Sequence, residues 1–107
     1  MSYFRSWETS DRIELSENSK AALETISDKE RILQVARFVE NREDGWSVPL
    51  VGTPIARFNL RFYSGRTFLG HLGIGTNFLE AQGCDGFVSR NLPPKERQLL
   101  VSLIGRP

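Results

Sequence analysis

Between Ile55 and Ile74 the chain alternates with a period of two. Along Ala56 to Tyr63, the apolar residues Ala56, Phe58, Leu60 and Phe62 interleave with Arg57, Asn59, Arg61 and Tyr63. Successive side chains of a strand point to opposite faces, so one set must be covered while the other meets water. The segment therefore demands an antiparallel sheet with one buried and one solvated face. The second arm, Thr67 to Ile74, sets Phe68, Gly70, Leu72 and Ile74 against Thr67, Leu69, His71 and Gly73. Both apolar sets share a face only if opposed residue numbers sum to an even value, which calls for an odd-length loop. The shortest such loop is Ser64-Gly65-Arg66. It predicts Asn59 opposite His71, Arg61 opposite Leu69 and Arg57 opposite Gly73, with a shift by two residues as the competing register.

The other elements are read around this hairpin. Residues 1–11 are mostly polar and carry three aromatics, Tyr3, Phe4 and Trp7. Such an arm either frays or docks its rings on the body, and the freedom of a terminus favours fraying. Ile13 to Leu15 and Ala21 to Ile26 are strand candidates on either side of a turn at Glu17-Asn18-Ser19. Ser27-Asp28-Lys29-Glu30 has the spacing of a capping box, a hydroxyl followed three residues later by a glutamate. Ile32, Val35, Ala36 and Val39 then recur along one helical face, and the helix should end near Asn41, before Asp44-Gly45. Gly45 to Pro54 is too rich in proline for a central strand. Phe78 to Gln82 and Phe87 to Arg90 pair around Gly83-Cys84-Asp85-Gly86. A last helix opens at Leu92-Pro93-Pro94-Lys95-Glu96, carries the stripe Leu99, Leu100, Leu103 and Ile104, and stops at Gly105. The order β-β-α-β-β-β-β-α gives an α+β two-layer sandwich, an antiparallel sheet with two helices packed on one face, over residues 12–107.

Composition removes several functions. The 107 residues suit one domain, and 14 Lys+Arg nearly cancel 13 Asp+Glu, for a net charge of +1. Nucleic-acid binding draws on a marked basic excess that is missing here, so no nucleic-acid partner is expected. No run approaches the roughly 18 apolar residues of a membrane span, so no membrane is expected either. The N-terminal residues lack the apolar core of a signal peptide, and the single cysteine, Cys84, forms no internal disulfide. A reducing, cytoplasmic location follows from these two points.

Searching for chemistry yields little. His71 is the sole histidine, and no nucleophile or orienting carboxylate is inferable from spacing. One His and one Cys do not make a zinc site, so no metal or cofactor is expected. Cys84 lies beside Asp85, which disfavours a reactive thiolate. The glycines of Gly70-His71-Leu72-Gly73-Ile74-Gly75 sit in a strand pattern with no helix opening after them. They read as sites of bending or close approach, not as a phosphate loop. Asp28, Glu30, Glu80 and Asp85 show no pairing. No catalytic residue is assigned, and a non-enzymatic role is favoured.

What remains is a surface. Arg57, Asn59, Arg61, Tyr63 and His71 should share the open sheet face, with Arg66 at the hairpin tip. Arg and Tyr are enriched at interface hot spots. Trp46 is either an aromatic anchor for a partner or a plug at the end of the core. The layout resembles that of small uncharacterised bacterial α+β domains. The resemblance rests on the Ser27-Asp28-Lys29-Glu30 helix start, the Trp46 to Pro49 loop and the closing Pro94-Lys95-Glu96, and it implies no catalytic residue. The leading expectation is a protein-binding module such as an inhibitor, immunity or accessory protein. Two others stand beside it: an anionic-ligand domain or small enzyme with a pocket between sheet and helices, and a self-associating domain forming a homodimer through an edge strand.

Overall fold

The computed structural model describes residues 5–17, 24–42, 44–48, 56–83 and 86–106. Tyr3, Phe4, Pro49, Pro54, Cys84, Asp85 and the stretch Ala21 to Leu23 lie outside them. Six antiparallel strands form one sheet: β1 (Arg12–Glu17), β2 (Glu24–Ile26), β3 (Phe58–Ser64), β4 (Thr67–Ile74), β5 (Phe78–Gly83) and β6 (Gly86–Asn91), in the spatial order β2-β1-β3-β4-β5-β6. Helices α1 (Lys29–Glu40) and α2 (Pro94–Leu103) supply Ile32, Val35, Ala36, Phe38 and Val39, and Leu100 and Val101, to the same buried cluster as the inner sheet residues. The α+β architecture and its element order are those the sequence predicts.

Helix starts and stops follow local chemistry, with shifts in detail. Asp28, not Ser27, is the N-cap of α1: the Glu30 amide donates to Asp28 Oδ1 at 3.1 Å. A carboxylate there also complements the positive end of the helix. Asn41 closes α1, and Gly105 follows the C-cap Ile104 of α2. Leu99, expected in the buried stripe of α2, stands 52% exposed, and Val101 is buried instead. Ser47 and Ser89 exchange backbone hydrogen bonds of 2.9 Å each, a single isolated bridge beside β6.

The hairpin register departs from the three-residue loop. Ser64 pairs with Thr67, leaving a two-residue turn, Gly65-Arg66, with Gly65 at φ +60°. Beyond the turn Arg61 faces His71, Asn59 faces Gly73 and Phe58 faces Ile74, the register shifted by two. A two-residue turn makes opposed residue numbers sum to an odd value, which would place His71 and Gly73 in the core. A bulge between Phe62/Tyr63 and Gly70/Phe68 restores the parity by leaving Leu69 as the extra residue. One inserted residue re-aims every side chain on one side of it. Phe68, expected inside, is thereby turned outward and is 48% exposed.

Trp7 occupies the space so created. It lies on the 3-10 helix Arg5–Thr9, is 1% exposed, and stacks on Phe62 with ring centroids 4.3 Å apart. Its indole Nε1–H donates to the carbonyl of the bulged Leu69 at 3.2 Å. Of the two fates open to the N-terminal aromatics, Trp7 takes docking. Gly70 permits this approach, since a Cβ there would sit 2.3 Å from Trp7 Nε1. Next to the arm, Asp11 and Arg12 clamp the turn: the Gly65 amide donates to Asp11 Oδ2 at 2.6 Å, and Arg12 Nη1 donates to the Gly65 carbonyl at 2.7 Å.

Trp7→Ala should cost about 3–5 kcal/mol, the range for emptying a large aromatic site, as read from urea denaturation. Gly70→Ala should destabilise the wild-type chain by displacing the indole. In the Trp7→Ala background its cost should largely vanish, because the added methyl then meets open space. A double-mutant cycle measures that coupling directly.

Candidate binding site on the open sheet face

The face opposite the helices carries Arg61, His71 and Gln82 in one cross-strand row over β3, β4 and β5. Tyr63 and the outward-turned Phe68 pair next to that row, with their rings edge to face at 5.7 Å. Arg61, Tyr63, Phe68, His71 and Gln82 line a depression of about 400 Å³. Val48, Phe68 and Leu99 are the large apolar side chains standing exposed among the described residues. Of these, only Phe68 lines this depression.

Each candidate residue has a defined place. Arg61 is exposed, and its guanidinium has no ion-pair or hydrogen-bond partner among the described residues. Tyr63 is half-buried, with the Arg12 guanidinium 4.4 Å from its ring centroid. His71 Nε2 lies 2.8 Å from Asn59 Oδ1. The amide oxygen only accepts, so Nε2 carries the proton and the neutral ring keeps Nδ1 unprotonated. Asn59 thus supports the site from beside it. Arg57 shares the face but lies outside the depression, exposed, with its guanidinium 5.7 Å from the Phe58 ring. Arg66 is exposed on the turn.

Trp46 does not join them. It packs against the core cluster on the helix side, and its indole N–H donates to the Arg42 carbonyl past the end of α1. Arg90 reaches the same place from β6, donating to the carbonyls of Arg42 at 3.1 Å and Asp44 at 2.9 Å. A cation is favoured where the helix carbonyls are left free. Arg31 does the same for α2, donating to the Leu103 carbonyl at 3.1 Å, and Arg97 donates to Gly75 at 2.8 Å. Much of the arginine content therefore satisfies backbone carbonyls. A guanidinium does this well because its donors are several and fixed in direction.

Phe68 and Gln82 are the site residues that the sequence reading omitted. Gln82 was within reach of the alternation rule, since Leu79 and Ala81 point inward and leave Glu80 and Gln82 on the other face. The adjacent apolar pair Phe68-Leu69 was the only trace of the bulge. Glu80 is buried on this open face, lying over Gly73, whose added Cβ would be 2.5 Å from the glutamate Cγ. Among the described residues no group of three or more His, Cys, Asp and Glu side chains could hold a metal ion, and no helix is long and apolar enough to cross a membrane.

Burial, and then the adjacent Arg61 charge, push the His71 pKa below its ordinary value near 6.5. The unfolded chain then binds a proton more readily than the folded one. The neutral ring's contribution to stability is full above pH of about 6.5 and is lost as pH falls from there through the lowered folded-state pKa. Thermal unfolding between pH of about 7.5 and 5 should show Tm declining in this window. His71→Gln should flatten that part of the decline. No protein-family model, curated protein or solved structure matches the chain.

Proposed function

We propose that the protein is a protein-binding module that docks its partner on the open sheet face, around Arg61, Tyr63, Phe68, His71 and Gln82. One observation carries this reading: an exposed aromatic and a guanidinium with no partner among the described residues border the same depression on the sheet face that the helices leave uncovered. Interface hot spots favour this pairing of an aromatic anchor with arginine. The depression has the volume of a small-ligand cleft, but Arg61, Phe68 and Gln82 stand exposed at its walls. A site built for a small molecule buries most of its ligand, whereas an open one suits a side chain presented by another surface. An inhibitor, immunity or accessory role in a cytoplasmic, bacterial-type setting fits a small domain with one cysteine and no assigned catalytic group.

Affinity capture from native lysate, with partners identified by mass spectrometry, tests the reading. The wild-type chain and Lys95→Ala, an exposed change on α2, should retain one stoichiometric protein. Arg61→Ala and Phe68→Ala should each weaken it about 30-fold or more, the effect of losing a hot spot of roughly 2 kcal/mol. Capture unaffected by either substitution would move the interface elsewhere, and the absence of any partner would remove the protein-binding reading.

A further inference from the structure

We propose that the depression is a carboxylate site, receiving an Asp or Glu side chain of a protein partner while an adjacent apolar group of that partner lies on Phe68. The proposal rests on the binding-face reading above and specifies the chemistry of what docks there. Arg61 makes no ion pair among the described residues. The acidic residue directly across from it, Glu14 on β1, is held by Arg12 at 3.3 Å. The five lining residues include no carboxylate. They offer the Arg61 guanidinium, the Tyr63 hydroxyl and the Gln82 amide as donors. A guanidinium fork matches the two oxygens of a carboxylate. One fixed positive charge balances one carboxylate, whereas a phosphate brings close to two negative charges.

His71 couples this site to protons. Its Nε2–H is committed to Asn59, so a proton taken up at Nδ1 adds both a donor and a positive charge to the lining. The ionisable groups facing it are Arg61 and Tyr63 on β3 and, on β5, the buried Glu80 next to uncharged Gln82. Its own strand presents Phe68 and Gly73 on this face, neither charged. A bound carboxylate favours the imidazolium, so binding should draw a proton and tighten as pH falls.

The chain has a single histidine, so its imidazole resonances report the site without ambiguity. The probes are 3-phenylpropionate and its neutral amide, 3-phenylpropanamide, titrated into the full chain. The acid should shift the His71 signals, bind about fivefold more tightly than the amide, and raise the His71 pKa at saturation. Arg61→Gln should bring the acid down to the amide's level, while Lys95→Gln, which removes the same charge from α2, should leave it unchanged. Equal effects of acid and amide, or equal losses in the two variants, would overturn the carboxylate assignment. If the acid fails here while Arg61→Ala still abolishes partner capture, the binding face stands and its carboxylate chemistry falls. If the acid binds but no protein is captured, the protein occupant falls.

Discussion

The contact between Trp7 and Gly70 braces the bulge that settles a parity conflict within the hairpin. A tight two-residue turn and an alternating apolar pattern are incompatible over the length of β3 and β4 unless one residue is inserted. The Leu69 bulge supplies it, at the expense of a local break in the ladder and a carbonyl removed from regular pairing. The Trp7 indole meets that carbonyl and stacks on Phe62, and Gly70 leaves it room. Residues far apart in the chain are thus tied together: the N-terminal segment, the bulge and the inner face of β3 are mutually dependent.

The candidate site is a by-product of the same adjustment. Without the bulge, Phe68 and His71 would take opposite faces of β4, because an odd number of positions separates them. With it, an aromatic wall and the Arg61 guanidinium come together around one depression. The clamp of Asp11 and Arg12 on Gly65 fixes the turn, and Arg12 also covers one side of Tyr63. The elements that stabilise the hairpin therefore also shape its outer surface. Elsewhere, Arg31, Arg90 and Arg97 donate to backbone carbonyls, which separates these structural arginines from Arg61, which has no partner among the described residues.

Local patterns carried most of the architecture. The helical face of Ile32, Val35, Ala36 and Val39, the alternation of Phe58, Leu60 and Phe62, and the glycines flanking the last hairpin each report a short-range periodicity or turn preference. Arg61, Tyr63 and His71 were legible as surface residues for the same reason. Trp46 was ambiguous because a tryptophan beside a loop satisfies both an interface and a core, and only packing distinguishes them. The exposure of Leu99 and burial of Val101 likewise depend on how α2 sits against the sheet, which a helical stripe of neighbouring apolar residues leaves open by about one position.

The sequence by itself determined the α+β order, the two-faced hairpin and the near-neutral charge, because periodicity, capping and composition act over a few residues. The tertiary structure decided the register, the outward turn of Phe68, the docking of Trp7 and the separation of Trp46 from the open face. These outcomes depend on contacts between residues as distant as Trp7 and Leu69. A bulge changes which face a side chain takes without changing its neighbours in sequence, so the surface it creates is settled only when the strands pair.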